Sequence, residues 1–349
     1  MIPVRGFEGK TVAVFGLGRT GLTAARALKA GGADVALWDE KYEARHLAQA
    51  EGLPLTDLKT ADWSGFDAVM LSPGVPLTHP KPHWTVNRAN AAGVSIVGDI
   101  ELFACERRAR APDAPFVAIT GTNGKSTTTA LIAHVLKEAG REVAMGGNIG
   151  VPVLELSPPA AGRTHVVECS SYQIDLAPSL APSVGLLINI TPDHLDRHGD
   201  LAHYAAVKER LVAGSDVALV GVDDEPSREI YARLKARVDA HRVIAVSGED
   251  SPFADFWVSE HRVMARGEEA PAADLKPARA LRGAHNGQNA AFCPLCAPRR
   301  ARACARSAAG AASPRAITRF SLTQTSASGD SLPETAIVRG APARALSRA

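Results

Sequence analysis

Two glycine-rich turns, each set between an apolar β-branched run and a helical pattern, constrain this chain more than any other feature. Gly16-Leu17-Gly18-Arg19-Thr20-Gly21 follows the run Val12–Phe15, and Thr120-Gly121-Thr122-Asn123-Gly124-Lys125-Ser126-Thr127 follows Phe116–Thr120. A strand that turns through glycine directly into a helix opens a βαβ unit, and the helix N-terminus it creates attracts anions. Two such turns about 100 residues apart predict two doubly wound domains. Further strands are predicted at Val35–Trp38, Ala68–Leu71, His165–Cys169, Val184–Ile190, Val217–Val222 and Val243–Val246. Helices are predicted at Leu22–Ala30, Tyr204–Leu211 and Thr127–Ala139, the last stopped by Gly140. Strand–helix alternation at this spacing gives parallel sheets with right-handed crossovers, so the fold class is α/β. A domain boundary is expected near residues 98–104, before the polar stretch Glu106–Asp113.

The first turn, with Asp39 ending the following strand, has the form of a dinucleotide fingerprint. Taken alone it supports an NAD-dependent oxidoreductase, with Asp39 meeting a ribose or base. A tight strand–helix turn without ligand, or a different nucleotide on the same geometry, remains open. Ser72-Pro73-Gly74 lies at the carboxyl end of a later strand, the edge where ligands of open α/β sheets bind. By itself it reads rather as a plain loop.

The second turn changes the chemistry. Backbone N–H groups in such a turn cradle phosphates, a lysine reaches β- and γ-oxygens, and a serine hydroxyl holds Mg²⁺. Ile119 stands where the general phosphate-loop spacing has its first glycine, so the match is to Gly121-x-x-Gly124-Lys125-Ser126 only. Glu168 closes a strand downstream, where a carboxylate is placed either for Mg²⁺ on nucleotide phosphates or as an ordinary strand-end acid. His194, in the polar cluster Asn189–His198, reads as a metal ligand, a phosphoryl contact or a hydrogen-bonded structural residue. Lys208 sits on a helix whose basic residues would ordinarily face water. Asn286 and Asn289, three apart, suit either a nucleotide base or helix capping.

Composition narrows the setting. Five cysteines without a framework suit a reducing compartment. No apolar run approaches the roughly 18 residues of a membrane helix, and the N-terminus has no secretory apolar stretch, so a cytoplasmic protein is expected.

Taken in order, these motifs resemble the Mur ligase family, specifically its D-glutamate-adding branch. The series is Gly16–Gly21, Ser72–Gly74, Gly98–Phe103, Thr120–Thr127, Gly146–Gly150, Glu168–Gln173, Thr191–Arg197 and His285–Asn289, and it covers about residues 8–292. The resemblance implies a Rossmann-like domain over residues 1–100 that binds the UDP substrate, which accounts for a dinucleotide-like turn without NAD. It implies a P-loop-type central domain over residues 101–292 that binds ATP. Gly18, Arg19, Thr20, Asp39, Ser72, Pro73, Gly74, Asn148, Ser170 and Gln173 would line the UDP-substrate site. Gly121, Thr122, Asn123, Gly124, Lys125, Ser126, Thr127 and Thr128 would hold ATP, with Asn286 and Asn289 near the adenine. Ser126 and Glu168 would hold one Mg²⁺, His194 and a carbamylated Lys208 a second. Lys125, Glu168, His194 and Lys208 would be the catalytic set. The implied reaction joins D-glutamate to UDP-N-acetylmuramoyl-L-alanine through an acyl phosphate, in peptidoglycan precursor synthesis. Small-molecule substrates, a monomer, and no nucleic-acid or membrane partner are expected.

Residues 293–349 depart from that pattern. They hold nine Arg, no Lys and two acids, a net +7, which leaves the first 292 residues at −5 of the chain's +2. Three readings arise: a zinc site from Cys293, Cys296 and Cys304, a basic interaction tail, or a reading-frame shift near residue 292 in place of the family's third domain. The Ala/Arg/Pro-rich composition favours the last, and it carries the expectation that ligase activity is lost and a non-catalytic UDP-substrate binder remains.

Overall fold

The computed structural model describes residues 1–237, 242–268, 270–275 and 284–293. The readings made of residues 294–349, including Cys296 and Cys304, lie outside the described residues.

Two sheets organise the chain. The first holds β1 (Thr11–Phe15), β2 (Asp34–Trp38), β3 (Ala68–Leu71) and β4 (Ser95–Val97) in the order β2-β1-β3-β4, all parallel. Around it pack α1 (Arg19–Ala30), α2 (Tyr42–Ala50) and α3 (Trp84–Ala92). Strands β1 and β3 are buried along almost their whole length, as parallel strands covered on both faces must be.

The second sheet comprises β5 (Phe116–Thr120), β6 (Glu142–Gly147), β7 (Arg163–Glu168), β8 (Val184–Leu187), β9 (Val217–Gly221), β10 (Arg242–Ser247), β11 (Phe256–Ser259), β12 (Arg262–Ala265) and β13 (Ala273–Asp274). Their order is β13-β12-β11-β10-β9-β8-β5-β7-β6, parallel from β6 to β11 and antiparallel at β12 and β13. After β5 the chain moves to β6 and β7 on one side; after β7 it crosses to β8 on the other. The order therefore reverses at β5, and ligands of open α/β sheets bind outside the carboxyl ends at such a switch point.

The remaining helices are α4 (Asp99–Arg110), α5 (Lys125–Glu138), α6 (Ser171–Asp175), α7 (Leu195–His198), α8 (Leu201–Ala213), α9 (Glu225–Lys235) and α10 (Ala284–Ala291). Helix α4 occupies the region where the sequence suggested a boundary, and most of the polar stretch beginning at Glu106 forms its last turn. Its acids are tied down rather than solvated. Glu106 accepts from the Arg5 and Gly6 N–H groups, and Glu101 accepts from Ser179 N–H at 3.0 Å. Phe103 on α4 meets Phe116 on β5 edge to face, with centroids 5.0 Å apart. Among the described residues, no helix is long and apolar enough to cross a membrane.

Candidate active site

In the second turn, Gly124 has φ +82, which only glycine adopts without strain, and it N-caps α5. A Cβ there would stand 2.6 Å from Asn289 Oδ1, because α10 lays its Asn289 side chain against the loop. Asn289 also donates to Asn286 Oδ1 at 3.3 Å. Asn289, expected near an adenine, thus lies directly against the phosphate-type turn. No side chain caps α5, and its first turn carries no acid. The leading N–H groups of a helix lack intrahelical partners, so this end is electrostatically prepared for an anion. Ser126 and Thr127 are half-buried beside it, while Thr128 is buried, its hydroxyl without a hydrogen-bond partner among the described residues.

The two loop N–H groups before Gly124 are already used. Asn189 Oδ1 accepts from Thr122 N–H at 3.1 Å and Asn123 N–H at 2.9 Å. Thr122 Oγ1 lies 3.2 Å from the Tyr204 hydroxyl, whose pKa burial pushes up to about 12. Asn189 and Tyr204 thus fix the loop's shape, a role the sequence reading missed although Asn189 opens a motif it singled out.

Two lysines converge on the same loop. Lys125 Nζ donates to the carbonyls of Gly121 at 3.1 Å and Thr122 at 2.8 Å. Lys208 Nζ donates to Gly121 O at 2.9 Å and Thr120 Oγ1 at 3.3 Å. Lys208 is 1% exposed, so the solvated face ordinary for a basic helix residue does not apply to it: α8 packs on the sheet, and position 208 points inward. Burial first, then the Lys125 charge, lowers the Lys208 pKa to about 7. Burial also lowers that of Lys125.

Glu168, at the end of β7, is fully buried. Its Oε1 accepts from Asn148 Nδ2 at 3.0 Å, and Asn148 N–H donates to the Glu168 carbonyl at 2.9 Å. Oε2 has no hydrogen-bond partner among the described residues. A buried carboxylate oxygen without a donor costs about 1–3 kcal/mol or more, and a cation would relieve it. His194 stands at the rim, exposed, in a left-handed conformation (φ 52) at the N-cap of α7. Its ring meets Tyr172 with centroids 5.0 Å apart, and Nε2 lies 3.5 Å from Asp193. Lys125, Glu168, Asn148 and Lys208 are therefore brought together, and His194 flanks them.

Ser170 and Gln173, expected at the UDP-substrate site, also have a part in the fold. They form the capping box of α6, and Gln173, 3% exposed, donates to both oxygens of buried Asp99 at 3.0 and 3.3 Å.

In the first turn, Gly21 allows a close approach: a Cβ there would lie 1.8 Å from Gly16 O. Asp39 accepts from Leu17 N–H at 2.7 Å and Lys41 N–H at 2.8 Å, and Ser72 Oγ donates to Gly16 O at 2.6 Å. Arg19 donates to Gly150 O at 2.7 Å and pairs with Glu155, reaching the loop after β6. Thr20 and Pro73 are half-buried, while Gly18 and Gly74 are exposed. Trp38 under the Arg45 guanidinium, 4.7 Å from its ring centroid, and Trp84 bonded to Glu40 complete an aromatic rim that the sequence reading did not single out.

Fold and site together define an α/β core built around a phosphate-type turn, and comparison with known proteins gives its family. Residues 119–297 match the Mur ligase middle domain, and residues 10–98 match the Mur ligase MurD-like N-terminal domain. The chain belongs to the Mur ligase family. Its similarity to the UDP-N-acetylmuramoylalanine--D-glutamate ligase of Rhizobium etli is 58% identity over 293 residues, covering 83% of this chain and 62% of that protein. The Rhizobium meliloti ligase of the same name is 56% identical over 294 residues, with 83% and 63% covered. The chain thus spans somewhat under two thirds of these relatives' length. A UDP-N-acetylmuramate:L-alanyl-gamma-D-glutamyl-meso-diaminopimelate ligase from Neisseria meningitides shares the fold at TM-score 0.55 and 18% identity, with 86% of this chain and 98% of that one covered. A murein peptide ligase from Psychrobacter arcticus does so at TM-score 0.50 and 16% identity, covering 86% and 68%. Family membership bears out the resemblance read from the motifs and displaces the hydride-transfer reading of the first turn.

Proposed function

We propose that this chain carries the UDP-substrate and ATP sites of a ligase that joins D-glutamate to UDP-N-acetylmuramoyl-L-alanine in the cytoplasm. The observation that carries the proposal is the buried Glu168 carboxylate, one oxygen unpartnered among the described residues, beside a phosphate-type turn, the half-buried Lys125 and the buried Lys208. Residues 1–100 hold the uridine nucleotide at the first turn and the Ser72–Gly74 loop, and residues 101–292 hold ATP.

The uncapped α5 N-terminus receives the β- and γ-phosphates. Lys125 exchanges its loop carbonyls for phosphoryl oxygens, where charge accumulates during transfer. The terminal carboxylate of the UDP substrate attacks the γ-phosphorus, and ADP leaves. The amine of D-glutamate then attacks the acyl carbon, loses a proton, and inorganic phosphate leaves. Asn148 holds Glu168 in place throughout.

Ser126 and Glu168 would hold one Mg²⁺, and the unpartnered Oε2 of Glu168 fits that role. Lys208 does not fit as an ammonium, because a cation repels a metal ion. Its pKa of about 7 makes the neutral amine available to attack CO₂, lose a proton and become a carbamate, which with His194 would suit a second ion. Such ions offset the repulsion between two anionic reactants.

The test is D-glutamate-dependent phosphate release by the 349-residue chain given UDP-N-acetylmuramoyl-L-alanine, ATP and Mg²⁺. Turnover supports the ligase and overturns the expectation of lost activity. Nucleotide-sugar binding without turnover, with a full-length relative active alongside, leaves the binding roles standing and removes catalysis from this chain.

A further inference from the structure

Three elements next to the candidate active site, but sharing no residue with its ligand set, bring a carboxylate and two imidazoles together. Asp175 ends α6, His198 ends α7, and His203 lies in the first turn of α8. One donor atom from each lies within 4.8 Å of the others. We propose that Asp175, His198 and His203 bind a divalent transition-metal ion, zinc in the first instance.

The case begins with unpaired nitrogens. His198 is 2% exposed, and its Nδ1 has no hydrogen-bond partner among the described residues. The buried Nε2 of His203 has none either. A polar atom removed from water without a partner is unfavourable, and two in one small cluster, facing a carboxylate, call for a shared ligand.

The surroundings set those nitrogens up as donors. His198 Nε2 lies 3.0 Å from Ser171 Oγ; donating its proton there fixes the tautomer that leaves the Nδ1 lone pair free. Metal-ligating histidines are oriented by such a bond from the other ring nitrogen. Tyr172 stacks on the His198 ring at 5.5 Å and 16° between planes, so the imidazole is held on its face as well. Arg210 grips Asp175 Oδ1 at 3.1 Å, orienting the carboxylate and leaving Oδ2 for the metal.

The donor set selects the cation. Two neutral imidazoles and one carboxylate suit zinc and its first-row neighbours, whereas Mg²⁺ prefers oxygen ligands alone. Three protein donors leave a fourth position for water or for His79, on the loop after β3, whose ring centroid lies 6.5 Å from that of His203. A metal there joins α6, α7 and α8, and with His79 also the two sheets.

The test titrates metal-stripped chain with Co²⁺ and Zn²⁺ at neutral pH, following cobalt ligand-field absorption and calorimetry. One tight equivalent is expected, with nitrogen–oxygen rather than thiolate absorption, ahead of weaker filling of the Glu168 and His194 sites. His203→Gln and Asp175→Asn each weaken binding at least tenfold, while Glu168→Gln, His194→Ala and the double variant Cys296→Ser/Cys304→Ser leave it unchanged. Matching far-ultraviolet dichroism and metal-free melting certify that the variants fold, and zinc raises the melting temperature of the parent and the three control variants but not of His203→Gln or Asp175→Asn. Absence of saturable binding overturns the proposal. So does binding that survives both His203→Gln and Asp175→Asn, or that follows Glu168, His194 or the cysteines.

Discussion

Lys208 and Lys125 donate to one and the same acceptor, the Gly121 carbonyl, at 2.9 and 3.1 Å. Two ammonium groups on a single oxygen repel, and the Lys125 charge is the second cause, after burial, of the depressed Lys208 pKa. Removing Lys125 therefore raises that pKa and shrinks the fraction of neutral amine at neutral pH. With ¹³C-labelled bicarbonate, the parent is expected to show a carbamate resonance growing as pH rises through about 7. In Lys125→Met the same rise should move up by about one pH unit. An unmoved profile would mean that Lys125 does not tune Lys208, and no carbamate signal at any pH would remove Lys208 from the reactive set.

Gly124→Ala combines backbone strain with collision, and Gly140→Ala separates the two. Both positions have positive φ, +82 and +75, but only a Cβ at 124 meets an atom, Asn289 Oδ1 at 2.6 Å; at 140 nothing lies within 4 Å. The left-handed conformation alone costs about 1–2 kcal/mol. Urea unfolding should show that loss in Gly140→Ala with nucleotide affinity intact. Gly124→Ala should lose as much or more and bind a fluorescent ATP analogue at least tenfold less tightly. Equal nucleotide affinity in the two variants would detach α10 from the turn's function.

The parts of the fold legible in the sequence were those with a short-range cause. β1, β3 and β5 are β-branched apolar runs ending in glycine turns, and both turns lie where the spacing put them. β4 is three residues long, and β6 ends in two glycines, so neither carries a strand pattern of its own. Lys208 shows the limit for the site. Periodicity placed it on a helix, but which face of α8 meets β8 and β9 is set by packing between distant segments. Gln173 is the converse: its motif suggested a ligand contact, while its partner, Asp99, lies 74 residues away. Nothing in the sequence pairs His198 with His203, because the turn between α7 and α8, which brings their rings to 5.9 Å, has no sequence signal strong enough to predict it.

Asp99 makes folding stability depend on pH in a stated direction. Burial raises its pKa from 3.8 to about 6, against the opposing effect of the Gln173 bond. A carboxyl whose folded pKa exceeds its unfolded value binds its proton more tightly when folded. Its favourable contribution is therefore complete below pH 3.8 and is lost as pH rises through about 6. A shift of that size corresponds to about 3 kcal/mol at most. Asp99→Asn should gain stability relative to the parent between pH 4 and pH 7 by up to about that amount, read from urea unfolding across the range. Parallel stability curves for the two proteins would show that Asp99 keeps the same proton affinity folded and unfolded.

Among the described residues, Asn148 is the one side-chain donor to Glu168, and a double-mutant cycle can isolate that bond. Asn148→Ala leaves both carboxylate oxygens of a fully buried group without a side-chain donor, which should cost about 1–3 kcal/mol. Glu168→Gln removes the charge, and with it most of the reason for the donor. The pair should therefore be less destabilised than the sum of the singles, with a coupling of about 0.5–3 kcal/mol. The same variants separate structure from ligand binding. If Glu168 takes a divalent cation on Oε2, Asn148→Ala should raise the Mg²⁺ concentration needed for nucleotide binding, because the carboxylate is free to rotate away. Glu168→Gln should abolish the Mg²⁺ dependence. Strict additivity in the unfolding cycle, together with unchanged Mg²⁺ dependence in both singles, would reduce Asn148 and Glu168 to an ordinary buried contact at the end of β7.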